Sequence, residues 1–172
     1  LENTMSQTAQ NASNWADYTT QVVVHANLIY TNLLSTPTSS SDPGRNYYSA
    51  QNSSGVWKVF SHEQARFWME RGFPAEMTGL EAKIQANIDA LDANPAAQAF
   101  NFRSTTPSTT LTMCVTYHGI TYHPQGLNIY KIPVRHFGAP PVSASKGAYG
   151  YNGVVRNNIY SVAINSISGP GS

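Results

Sequence analysis

The chain has 172 residues, and its 10 Lys and Arg nearly balance its 9 Asp and Glu, for a formal charge of +1. That length suits one domain able to bury roughly 70% of its unfolded surface without a metal or disulfide staple. The charge balance gives no reason to expect nucleic acid, which needs clustered cations to displace counterions. Charged residues make up only 11%, against roughly 25% in ordinary soluble domains, and the surplus of Ser, Thr, Asn, Tyr and Gly is common in secreted β proteins.

In chain order, the opening LENTMSQTAQ is unlike a signal peptide, and no apolar run approaches a membrane span. The chain therefore reads as mature, or as cut from something longer. QVVVHANLIY at 21 to 30 predicts a strand with Val22, Val24, Ala26, Leu28 and Tyr30 on one face. Residues 35 to 55 are rich in Ser, Pro and Gly and predict a long exposed connection, turning at Asp42-Pro43-Gly44. VWKVF at 56 to 60 predicts a short strand.

The middle differs in kind. Ser61 and Gln64 make a capping box for the helix SHEQARFWMER, which Gly72 and Pro74 stop. Thr78 and Glu81 predict a second box. Behind it Leu80, Ile84, Ile88 and Leu91 recur at helical spacing, a stripe that must pack on a sheet, until Asn94-Pro95 ends the helix. The prediction is a helical insertion at about 61–94 within a single β domain spanning 1–172.

Beyond it, QAFNFR, LTMCVTYHG, ITYHP, LNIYKIPVRHF and NIYSVAINSI read as strands, separated by Pro107, Gly119, Pro124-Gln125-Gly126 and the loop GAPPVSASKGAYGYNG. Short strands at that spacing predict an antiparallel sandwich or barrel. Pro133 has no N–H for a ladder, so one side of its strand should be an edge or a bulge. In the final strand, alternation predicts Tyr160, Val162 and Ile164 on a buried face and Ser161 and Asn165 on the other.

Candidate chemistry is thin. His118, His123 and His136 lie on neighbouring β segments, but their spacing matches no zinc signature and no Asp or Glu follows Asp92 to support them. The carboxylates a glycosidase would need, among Glu63, Glu70, Glu76, Glu81, Asp89 and Asp92, all fall in the helical insertion, where a solvated helix face explains them. No nucleophile elbow, phosphate loop or zincin motif is present, so neither an enzyme nor a cofactor is expected. Cys114, the one cysteine, reads as a buried or half-buried inert thiol. Trp57, Tyr47 and Tyr48 are the residues that could stack on a sugar, although aromatic residues beside strands usually pack. The sequons Asn11-Ala12-Ser13 and Asn52-Ser53-Ser54 are weak patterns. Beyond Asp92 the only charges are Arg103, Lys131, Arg135, Lys146 and Arg156, an asymmetry best read as a solvated pattern.

Three stretches resemble the fimbrillins that build type V pili on Bacteroidales-type bacteria: LENTMSQTAQ ahead of a β-branched strand, IYKIPVRHFG, and YNGVVRNNIYSVAINSISGPG. The likeness is greatest to the shaft subunit of the short, or minor, fimbriae. In that family an ENT-containing segment enters the first strand of the C-terminal domain, and a G-V-V-R-N-x-x-Y-x-V-x-I-x-S-I-x-G-x-G stretch is its late strand. The resemblance thus carries over Glu2, Asn3, Thr4, Arg156, Asn157, Tyr160, Gly169 and Gly171 as structural motif residues.

It also implies a fold and a role. The fold would be mainly β, a transthyretin-like antiparallel sandwich with the helical insertion. The chain would be a C-terminal domain fragment, without the N-terminal sandwich and its lipidation and Arg-protease sites, and without the appendage that becomes a donor strand past G-x-G. The implied role is a pilin that polymerises by protease-triggered donor-strand exchange and supports adhesion, biofilm formation and virulence. Its implied place is the cell surface, in fimbriae attached to the outer membrane. Implied partners are other fimbrillin subunits in a homopolymer, accessory anchor and tip pilins, and host or bacterial surface adhesins, with no membrane insertion of this segment. The alternative is a carbohydrate-binding, lectin-like sandwich using Trp57 and the tyrosine-rich loop; a hydrolase has least support.

Overall fold

A computed structural model describes residues 20–28, 46–91, 95–105, 111–134 and 159–171. It contains strands β1 (Gln21–Asn27), β2 (Tyr47–Gln51) and β3 (Trp57–Phe60), helices α1 (His62–Arg71) and α2 (Leu80–Asp89), then β4 (Val115–Tyr117), β5 (Ile120–His123) and β6 (Leu127–Pro133). The strands form a two-stranded sheet, β1-β6, and a four-stranded sheet in the order β3-β2-β5-β4. Two antiparallel sheets with two helices and no closed barrel among the described residues are the make-up expected of a β-sandwich with a helical insertion. No described helix is long and apolar enough to cross a membrane.

The chain divides into two compact units, one of Leu1–Val24 with Tyr130–Ile167, the other of His25–Ile129 with Ser168–Ser172. The second unit holds the four-stranded sheet. β2 pairs with β3 at Tyr48↔Phe60 and with β5 at Tyr48↔Tyr122, while β4 meets β5 at Val115↔Tyr122, so one face carries Tyr48, Ala50, Phe60, Ile120 and Tyr122. Two hairpin turns set this register. Between β2 and β3, the Asn52 side-chain carbonyl accepts the N–H groups of Ser54 and Val56 at 3.0 Å each. Between β4 and β5, His118 (φ 42°) and Gly119 (φ 74°) form a two-residue turn of positive φ, the hand that suits twisted strands.

Both helices pack on that aromatic face. The capping box at Ser61 and Gln64 forms as predicted, and Gly72 closes α1. Leu80, Ile84, Ile88 and Leu91 join Tyr48, Ala50, Phe60, Ala65, Trp68, Phe100, Phe102, Ile120 and Tyr122 in one buried apolar cluster. Tyr48 sits at its centre, 4.9 Å from the Phe102 ring and 5.3 Å from the Tyr122 ring, and its hydroxyl donates to the Ala99 carbonyl at 2.6 Å. Each fully buried large side chain contributes about 1.5–3 kcal/mol, so this cluster is the main stabilising feature of the unit.

Four local expectations are corrected. Tyr47–Gln51 lies inside the predicted loop 35–55 yet is a central strand, because its tyrosines reach covered faces on both sides. The turn at Asp42-Pro43-Gly44 lies outside the described residues. QAFNFR is not a strand: Pro95–Phe100 winds as a 3₁₀ helix, and the Asn101 side chain accepts the Arg103 N–H at 3.3 Å to turn the chain. Local amide capture of this kind competes with a ladder. Thr78 and Glu81 do not cap α2. Its N-cap is Gly79 in the left-handed region (φ 88°), with no side-chain cap bond, while the Thr78 hydroxyl donates to the Ala75 carbonyl. The N–H of Ser53 bonds the Thr78 carbonyl at 2.8 Å, and a Cβ on Gly79 would stand 3.2 Å from that nitrogen. Finally, of LTMCVTYHG only Val115–Tyr117 is strand.

The first unit contributes the Val134 N–H bonded to the Thr20 carbonyl at 2.8 Å and the segment 159–167. This segment is the largest correction. It is not part of a strand; Tyr160 is half-buried, and Ile159, Val162, Ile164 and Ile167 are 99%, 41%, 51% and 57% exposed. Alternation decides which side chains share a face, but a second layer must meet that face to bury it. Among the described residues no strand pairs with this segment. Pro133 closes β6, whose one described strand neighbour is β1, as its missing N–H requires.

Candidate functional site

The opposite face of the four-stranded sheet is also covered at its centre, but it is polar. Alternation and register place Tyr47, Ser49, Trp57, Val59, Thr116, Thr121 and His123 there. Tyr47 and His123 are 0% exposed and stack with ring centroids 4.4 Å apart. Burial of so many hydroxyl, amide and imidazole groups is tolerated only because they satisfy one another.

Two acceptors organise the cluster. The first is the Leu127 carbonyl, 2.8 Å from His123 Nδ1 and 3.1 Å from the Cys114 thiol. A carbonyl can only accept, so Nδ1 carries the proton and Nε2 must accept from the Ser49 hydroxyl at 2.8 Å. The second is Asn128 Oδ1, which accepts the Tyr47 hydroxyl at 2.8 Å and the backbone N–H of Gly171 at 3.0 Å. The Asn128 amide is itself oriented by donating to the Gly126 carbonyl at 2.8 Å. That turn needs glycine: a Cβ on Gly126 (φ 76°) would stand 2.1 Å from the Leu28 carbonyl oxygen.

The segment Ser168–Gly171 thus lies on this face, and both motif glycines are explained by close approach. A Cβ on Gly169 would stand 2.9 Å from Trp57 Cδ1, and one on Gly171 would stand 2.6 Å from the Ile129 carbonyl oxygen. Of the other motif residues, Tyr160 lies in the segment 159–167, and Glu2, Asn3, Thr4, Arg156 and Asn157 lie outside the described residues. Sequence reasoning did not single out Ser49 or Asn128. The signal for Asn128 was available: a lone amide among the apolar residues of LNIYKI marks a buried polar contact.

Ionisation follows burial. Desolvation holds the His123 imidazole below its ordinary value, the hydrogen bond to the Leu127 carbonyl opposing in part. The Cys114 thiol is pushed up by burial, which makes it a poor nucleophile. On the aromatic face, burial raises Tyr48 well above its usual value and Tyr122 to about 12.

This arrangement seats a peptide segment and offers little for catalysis. Both His123 nitrogens are engaged, His118 is exposed in its turn, and His136 lies outside the described residues. No three metal-binding side chains converge among the described residues. Glu63, Glu70, Glu76, Glu81 and Asp89 are exposed, and Asp92 lies outside the described residues. Tyr47 and Tyr48 are buried and present no sugar platform, leaving Trp57, at 42% exposure on an edge strand, as the residue of that trio that reaches solvent. The Asn52 amide is likewise committed, donating to the Glu76 carbonyl at 3.0 Å.

Residues 121–172 match the family model for the C-terminal part of fimbrillin, the major fimbrial subunit protein type IV. The matched segment runs from β5 through β6 to the seated glycines, and so contains His123, Asn128, Tyr160, Gly169 and Gly171. No curated protein and no solved structure matches the chain.

Proposed function

We propose that this chain is a structural subunit of a bacterial surface fimbria of the type V kind, assembled by donor-strand exchange after proteolytic maturation. The observation that carries this reading is the match of residues 121–172 to the fimbrillin C-terminal family, whose members are structural. Two structural features support the mechanism. The segment 159–167 pairs with no strand among the described residues and presents Ile159, Val162, Ile164 and Ile167 to solvent. Among the described residues the four-stranded sheet ends in β3 and β4, and edge strands offer unpaired N–H and C=O groups to a strand from elsewhere. Such insertion couples many main-chain hydrogen bonds to apolar burial, which suits a fibre that must resist force without disulfides.

On this reading the partners are other fimbrillin subunits, with anchor and tip pilins and surface adhesins as secondary contacts. The polymer stands on the cell surface, attached to the outer membrane, and serves adhesion and biofilm formation. The test is to mix the tagged chain with full-length subunit matured by an Arg-specific protease and to follow light scattering and label position by electron microscopy. Label on fibres is the expected result. Fibres that grow normally and never carry the label would overturn the proposal. Saturable glycan-array binding lost in Trp57→Ala would favour the carbohydrate-binding reading instead.

A further inference from the structure

The seat of Ser168–Gly171 is built around a buried histidine that has no counter-ion among the described residues. We infer that the seat is an acid-sensitive latch: protonation of His123 breaks the arrangement of Ser49, Leu127 and Asn128 and releases Gly171 from the sheet.

The groups facing the ring are few. β2 brings the Tyr47 phenol, stacked on it, and the Ser49 hydroxyl. The stretch before β4 brings the Cys114 thiol, 3.8 Å from Nδ1. β6 brings the Leu127 carbonyl. No described carboxylate or cation acts on the ring, and the phenol and thiol are neutral at and below neutral pH. Nδ1 already donates to Leu127, so an added proton must go on Nε2, which now accepts from Ser49. Ser49 would have to turn its own hydrogen away into a face where it is 1% exposed. A buried cation and a displaced hydroxyl then act on one short stretch, His123 to Asn128.

That stretch is tightly constrained. Gln125 holds φ 51° within it, and Gly126 is wedged against Leu28. Asn128, one residue beyond Leu127, accepts the Gly171 N–H at 3.0 Å. A small outward shift at Leu127 therefore costs Gly171 its acceptor, while the helices on the other face need not move. His62 provides the contrast. Burial lowers its value as well, with Arg66 and Glu63 acting in opposite senses, but its ring donates to the Ser104 carbonyl at 2.8 Å, on the aromatic side.

The test is amide exchange and ring titration on the intact chain by NMR between pH 8 and pH 5, with rates corrected for intrinsic chemistry. The Gly171 amide is expected to lose protection by up to about tenfold per pH unit below about 6.5, while the Ala65 amide of α1 stays protected. His123→Gln, which can both donate and accept but does not titrate, should abolish the pH dependence; His62→Gln should leave it. Constant Gly171 protection down to pH 5, or loss that persists in His123→Gln, would overturn the latch. Should that variant fail to fold, Gly171 protection that stays constant across the His123 ring titration in the unaltered chain would overturn it as well.

Discussion

Tyr47 and Tyr48 are neighbours in one strand, equally buried, and belong to different worlds. Tyr48 enters an aromatic cluster capped by two helices, and its hydroxyl finds the Ala99 carbonyl. Tyr47, on the other face, stacks on His123 and bonds Asn128, which also holds the N–H of Gly171. The same residue type serves stability on one side and the seating of a peptide on the other. What decides is the layer that meets each face, apolar helix stripes against a glycine-rich segment with backbone donors.

If the aromatic face carries stability, the largest effect should come from emptying it. Phe60→Ala is expected to cost about 3–5 kcal/mol, seen as a large drop in denaturant midpoint at unchanged slope. A loss under about 1 kcal/mol would mean that the helices do not pack on this sheet. On the polar face, Asn128→Ala leaves the Tyr47 hydroxyl and the Gly171 N–H without their acceptor and should cost about 1–3 kcal/mol. Its signature is selective loss of protection at Gly171 with α1 unaffected, which separates seating from global stability.

Acid should act on both faces through the buried histidines. Burial lowers the folded-state values of His62 and His123, so as pH falls the unfolded chain takes up protons first. Their contribution is complete above about pH 6.5 and is lost as pH falls below it, at up to about 1.4 kcal/mol per unit for each histidine. Equilibrium unfolding at pH 7.5 and pH 5 measures this, and equal stability at both would show that neither ring is held neutral. The smallest effect is expected outside the sheet: Val162→Asp, in the exposed segment 159–167, should change stability by no more than about 0.5 kcal/mol. A loss above about 2 kcal/mol would restore the buried register that alternation predicts.

The contrast between faces also explains what could be read in advance. The helical insertion was legible because its signals are local: Ser61 and Gln64 cap α1, Gly72 ends it, and Leu80, Ile84 and Ile88 share one side of α2. β2 was not legible, since Tyr47, Ser49 and Gln51 are polar enough to pass for a loop, and only tertiary partners far along the chain, His123 and Asn128, make that polarity admissible inside. The second capping box failed for a similar reason, because a contact from Ser53 takes over Thr78. Gly169 and Gly171 were identified through a family pattern; why they must be glycine appears only once Trp57 and Ile129 stand against them.

The central claim, that the polar face is a seat for the Gly169–Gly171 segment, is tested most directly by proton–proton contacts in the intact chain at neutral pH. The account predicts nuclear Overhauser effects from the Trp57 indole to the Gly169 α-protons and from the Asn128 side chain to the Gly171 amide, at intensities comparable to those between Tyr48 and Phe102. Strong Tyr48–Phe102 contacts with none between Trp57 and Gly169 would leave the fold standing and contradict the seat.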